Sequence, residues 1–156
     1  MFRSFIASAT LAVATVVAPV AAEAASLTAG QRQLVQALDA AGVTVEAGEC
    51  PEDTAYGWFL PKEKFIALCT NVIDSEKLAW ETLKHEAIHA AQQCINPNMT
   101  DTLTTPAFLQ KYGNQSDWEF IKTAYEKYDW LIELEAFSLM RWPAADVAAL
   151  VNEACN

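Results

Sequence analysis

Apolar residues recur at helical spacing in residues 27–41, LTAGQRQLVQALDAA, where Leu34, Val35 and Leu38 share a face and Gly42 stops the run. The pattern then changes to β-type. VTVEAG reads as a short strand, and AYGWFL and KFIALC are two β-rich runs separated by Pro61-Lys62-Glu63, which predicts a hairpin. Asp74 or Ser75 caps a second helix running to about Cys94. INPNMTDTLTTP is a polar loop with prolines near both ends. After a short helical piece, SDWE (Ser116 to Glu119) has the form of a capping box. It opens a long helix to about Arg141, which Pro143 ends before a final short helix carrying Cys155. The order of helix, small sheet, helix, loop and long helix predicts an α+β fold with a small antiparallel sheet.

The first residues stand apart from this pattern. MFRSFIASATLAVATVVAPVAAEAAS opens with Arg3, continues as an uncharged apolar run from about Phe5 to Val20, and reaches Ala22-Glu23-Ala24, an A-x-A pattern. The run is short and rich in alanine for a spanning helix. Residues 1–24 are therefore expected to be a signal peptide cut after Ala24, with Ala22 as the alternative, leaving one domain over residues 25–156. The mature chain is expected to be exported, secreted or periplasmic, without stable membrane insertion.

Charge narrows the partners. The chain has 10 Lys+Arg against 20 Asp+Glu, a net charge of -10. The signal segment carries one of each sign, so its removal leaves the balance unchanged. Such a domain repels nucleic acid and anionic lipid. Four cysteines, Cys50, Cys69, Cys94 and Cys155, form no C-x-x-C pair. In an exported chain an even count reads as two disulfides. Three pairings are open; the expected one is Cys50–Cys69, closing a hairpin, with Cys94–Cys155 tying the C-terminal tail to the second helix.

The second helix contains LKHEAIHAAQQC, which holds both histidines of the chain. His85 and His89 are four residues apart, so on a helix both can point at one ion. Glu86 lies about 100° round the helix from His85 and can reach a metal-bound water without ligating the metal. Trp80, Leu83, Ala87, Ala90, Ala91 and Cys94 form a separate core face. The histidines share theirs with Leu78, Glu81, Thr82 and Gln92, a composition suited to the floor of a cleft.

HEAIH after a small sheet resembles the zincin metallopeptidases, in which two His and a third residue bind zinc and the Glu activates water. The metzincin branch requires a third His shortly after; this chain has Ala90-Ala91-Gln92-Gln93-Cys94 there. With no histidine left, the third ligand is a carboxylate or, second, a thiolate. That makes the chain similar to the gluzincins, where a Glu on a later helix completes the site. Several such families carry E-x-x-A, and ELEA, Glu133 to Ala136, matches, which implies Glu133 as ligand; the fifth position, often Asp or Asn there, is Phe137. The resemblance covers the motif helix and this segment, a minority of the chain.

Burial offers Glu135 as the alternative. On a continuous helix it shares a face with Ile121, Ala124, Tyr128, Leu131, Leu139 and Trp142, where a carboxylate needs a partner. Glu133 shares a mixed face with Glu126, Asp129, Trp130, Ala136 and Phe137. The resemblance implies a zinc-dependent metallopeptidase-like hydrolase acting on a peptide or protein, with His85, His89 and a Glu as zinc ligands and Glu86 as general base. Tyr112, Tyr125 or Tyr128 is the candidate to hold the oxyanion, and KFIALC the candidate edge strand for an extended peptide. The alternative class is a disulfide-stapled binding or inhibitory domain with a degenerate or non-catalytic metal site.

Overall fold

The computed structural model describes residues 27–51 and 55–156; the expected signal peptide and its cleavage after Ala24 lie outside these residues. The described residues form six helices and three strands: α1 (Ala29–Ala40), β1 (Thr44–Gly48), β2 (Gly57–Leu60), β3 (Phe65–Cys69), α2 (Glu76–Ile95), α3 (Pro106–Tyr112), α4 (Gln115–Ala124), α5 (Trp130–Leu139) and α6 (Ala144–Cys155). This is a small α+β fold, as the pattern predicts. Among the described residues no helix is long and apolar enough to cross a membrane.

α1 starts at a capping box, in which Thr28 Oγ1 accepts from Gln31 N–H and Gln31 Oε1 accepts from Thr28 N–H. It ends before Gly42, whose φ of 74° lies in the left-handed region open to glycine. Its buried face is Leu34, Ala37 and Leu38. Val35 was expected on that face but is exposed; it lies about 100° round the helix from Leu34, away from Ala37.

The sheet is mixed rather than antiparallel. Its order is β1-β3-β2; β2 and β3 form the expected hairpin, but β1 runs parallel to β3, with Thr44 opposite Phe65 and Gly48 opposite Cys69. The Cys50–Cys69 disulfide therefore joins the C-terminal ends of two parallel strands and does not close a hairpin. Asn71 reinforces the junction, its Oδ1 accepting from Cys50 N–H at 3.0 Å. β3, expected at an edge, is the central strand. The strand flanking α2 at the edge is β2. There Gly57 is required: a Cβ would lie 2.7 Å from the Ala67 carbonyl oxygen and 2.8 Å from Thr82 Cγ2.

α2 is capped by Ser75, whose side chain accepts from Leu78 N–H. It packs against the sheet, against α6 and against α5. Leu34, Leu38, Ile66, Ile88, Leu139, Val147 and Val151 are fully buried in the core. Burying each contributes roughly 1.5–3 kcal/mol. The Cys94–Cys155 disulfide fastens the last turn of α2 to the last turn of α6.

The expected long helix from Ser116 to Arg141 is two helices. α4 begins earlier than the SDWE pattern suggests, because Asn114 is the N-cap and accepts from Ser116 N–H. It ends at Tyr125, which turns extended (φ -126°, ψ 155°), and α5 starts at Trp130. No Gly or Pro marks the break. A tertiary contact stabilises it: the Trp130 indole N–H donates to the Tyr125 carbonyl at 3.0 Å, and Trp130 meets Trp118 edge-on beside a second small core of Leu109, Ile121 and Leu134. The helix carrying Glu133 and Glu135 is thus short, and its rotation is independent of α4.

The two disulfides enclose separations of 19 and 61 residues. In the chain-entropy account these contribute roughly 3 and 4 kcal/mol. Thiol titration of the unreduced, denatured protein should find no free thiol. The Cys94→Ser, Cys155→Ser pair should lose about 2–4 kcal/mol in denaturant unfolding; an unchanged midpoint would contradict this.

Candidate metal centre

Helical spacing brings His85 and His89 to one side of α2, and α5 lays Glu133 across them. His85 Nε2 is 3.1 Å from His89 Nε2 and 3.3 Å from Glu133 Oε2, and the other carboxylate oxygen is 3.5 Å from His89 Nε2. One ligand atom from each of the three residues lies within 4.8 Å of the others. A tetrahedral site with bonds of about 2.0–2.1 Å sets its ligand atoms roughly 3.3–3.4 Å apart, so these separations suit a zinc-sized ion. Glu133 Oε2 is buried without a hydrogen bond of ordinary geometry, its nearest nitrogen being that of His85. A buried carboxylate oxygen left in that state costs free energy that a cation would offset. The residues present therefore fit a metal ion.

The three groups perturb one another's charge. Burial pushes the Glu133 carboxyl up, but the His85 and His89 imidazoles, 3.3 and 3.5 Å away, outweigh it and hold the pKa down at about 2. Burial pushes the His89 imidazole down, but Glu133, then the Glu86 charge and Gln92, outweigh it and raise the pKa to about 9. At neutral pH Glu133 is thus ionised and His89 holds a proton that a metal must displace.

Of the two glutamates weighed as third ligand, the fold brings Glu133 to the histidines. Glu135 is fully buried, as its apolar neighbours implied, but its oxygens are engaged elsewhere. They accept from Gln92 Nε2 at 2.9 Å, Leu103 N–H at 2.7 Å, Thr104 N–H at 2.7 Å and Thr104 Oγ1 at 2.5 Å. Glu135 meets the requirement for a partner through four donors.

Glu86 is 6% exposed and lines, with His85, a cleft of about 670 Å³. One wall is the β2 edge and its approach, Tyr56, Gly57 and Trp58; the opposite wall is Phe120, Tyr125 and Phe137. Leu78, Glu81 and Thr82 extend the α2 side, so three of the four residues expected to accompany the histidines face the cleft. The fourth, Gln92, is buried behind His89. Phe137 packs edge-on against the His85 ring at 4.8 Å between centroids. A shallower groove of about 280 Å³ between α1 and α6 is lined by Gln33, Gln36, Asn152 and alanines, and offers no titratable group.

Only one of the three candidate tyrosines reaches this site. Tyr112 packs on Phe108 and Tyr128 is 80% exposed. Tyr125 lines the cleft, and burial, then the negative charges of Glu133 and Glu86, push its phenol well above the ordinary tyrosine value. Periodicity puts Gln92 on the histidine face, and its position three residues after His89 is the sequence signal that its side chain can reach that imidazole.

No family model, curated protein or solved structure matches this chain.

Two measurements check it. Glu133→Gln should weaken zinc binding by orders of magnitude, whereas Glu135→Gln should still bind one ion per molecule; the reverse order would refute the assignment. In metal-free protein the His89–Glu133 pairing also sets a stability window. His89, raised from 6.5 to about 9, contributes fully below pH 6.5 and loses its contribution as pH rises through 9. Glu133, lowered from 4.5 to about 2, contributes fully above pH 4.5 and loses its contribution as pH falls through 2. Denaturant midpoints of metal-free wild type, relative to Glu133→Gln, should be highest between pH 4.5 and 6.5 and decline on both sides.

Proposed function

We propose that the chain is an exported, zinc-dependent hydrolase of peptide bonds. The observation that carries this is the convergence of His85, His89 and Glu133 beside a cleft that Glu86 also lines. His85, His89 and Glu133 would hold the metal. When bound, zinc keeps a fourth position for water and lowers the water's pKa towards about 7. The two disulfides support an oxidising compartment.

The chain's own residues divide the remaining work. Glu86, next to His85 in sequence but turned about 100° from it, stands at the cleft as proton carrier. It accepts the proton of the attacking water at its carboxylate and delivers it to the leaving amine nitrogen. Tyr125 keeps its phenolic proton across the working pH range, so it serves as a hydrogen-bond donor to the carbonyl oxygen of the scissile bond. The β2 edge beside the cleft offers backbone groups to an extended peptide, the role the sequence pattern gave to β3. Trp58, Phe120 and Phe137 supply apolar walls for a substrate side chain and exclude water from the reacting groups.

Elemental analysis of the mature protein supplied with zinc should find about one ion per molecule. Glu86→Gln should keep that ion and lose peptide hydrolysis by at least a hundredfold, the range expected for a general base. Wild-type protein that takes up no zinc would sink the reading and favour a disulfide-stapled binding domain. A Glu86→Gln variant that cleaves as fast as wild type would remove Glu86 from the chemistry.

A further inference from the structure

Among the described residues, Gln92 and Glu135 are the two polar side chains with 0% exposure, and the proposed reaction uses neither. Their hydrogen bonds form one directed chain. Gln92 Nε2 lies 2.9 Å from Glu135 Oε2 and 3.1 Å from the Ile132 carbonyl oxygen. Glu135 Oε2 already accepts from Leu103 N–H, a carbonyl oxygen only accepts and an amide nitrogen only donates, so the two protons of Nε2 are assigned and a flipped amide would put its oxygen against two acceptors. Gln92 Oε1 must then face His89 Nδ1, 2.7 Å away. An amide oxygen only accepts, so Nδ1 carries the proton. The lone pair of neutral His89 is left on Nε2, the atom that faces His85 and Glu133.

We infer that Gln92 and Glu135 are positioning residues: they keep a proton on His89 Nδ1 and aim its Nε2 at the site completed by His85 and Glu133. The metal-binding part of this inference rests on the proposed function; the orientation of the imidazole does not. Glu135 is anchored from the other side, because Leu103 N–H, Thr104 N–H and the Thr104 hydroxyl all donate to it. The loop after α2 thus fixes Glu135, Glu135 fixes the Gln92 amide, and the amide fixes the imidazole. An ordinary buried glutamate that only clamps a loop would not set the direction of a ligand ring. Partners that orient a metal-ligating imidazole in this way typically alter metal affinity by 10–100-fold when removed.

The test uses the mature chain labelled with ¹⁵N-histidine and zinc as the probe. Wild type should show a resolved, slowly exchanging His89 Nδ1 proton with and without zinc. Gln92→Leu should lose the slow exchange and bind zinc about 10–100-fold more weakly in chelator competition. Glu135→Gln, which changes one atom, should weaken zinc about tenfold at the lower end of that range and speed amide exchange at Leu103 and Thr104. Ser138→Ala removes a buried hydrogen bond of α5, from Ser138 Oγ to the Leu134 carbonyl, that lies outside this chain of bonds, and should bind zinc like wild type. Gln92→Leu that folds and binds zinc as tightly as wild type would overturn the positioning role. So would a rapidly exchanging Nδ1 proton in wild type. Should Gln92→Leu fail to fold, Glu135→Gln against Ser138→Ala decides the question by the same affinity comparison. Absence of zinc from wild type would fail the proposed function, and the Nδ1 proton would still report on the orientation of His89.

Discussion

The rest of the fold answers to the burial of a polar stripe on α2. His85, Glu86, His89 and Gln92 are each 8% exposed or less, within little more than two turns of one helix. A buried polar group without a partner costs about 2–7 kcal/mol, and an unpaired buried charge more. α5 supplies the complement: Glu133 faces the two histidines, and Glu135, with the Ile132 carbonyl, receives the amide of Gln92. The α2–α5 contact is therefore held in register by direction-dependent bonds, where apolar packing alone would tolerate sliding.

The surroundings keep that contact from adjusting. Behind α2, the apolar face of α6 and the Cys94–Cys155 bond fix one end of the helix; beside it, β2 approaches so closely at Gly57 that a methyl group would collide with Thr82. The break between α4 and α5 matters equally. It allows α4 to place Phe120 and Tyr125 along the cleft while α5 turns independently to present Glu133. In a single straight helix the two tasks would be tied to one rotational phase.

Glu133 and His89 are shifted in opposite directions by each other, and both are held out of water. Such a cluster contributes modestly to stability, because desolvation consumes much of the attraction. Glu133 Oε2 is left without a hydrogen-bond partner, and the far nitrogen of His89 is occupied by the Gln92 amide. Holding these polar groups out of water costs folding free energy, which the apolar core and the two disulfides offset.

The local parts of this protein were legible in the sequence. The i, i+4 histidines, the Ser75 cap, the β2–β3 hairpin, the stop at Gly42 and the α+β order all follow from short-range periodicity and turn chemistry, which act within a few residues. The burial of Glu135 was legible too, because its neighbours on α5 are apolar. Its partner was not. That choice depended on the rotation of α5, set by a helix break that no Gly or Pro announces and that a tryptophan stabilises by capping a carbonyl across the gap. The parallel pairing of β1, the central place of β3 and the role of Gln92 likewise depended on contacts between elements distant in sequence. Sequence by itself determined which side chains needed partners; the tertiary structure decided which partner each received, because pairing across elements depends on their relative rotation and order.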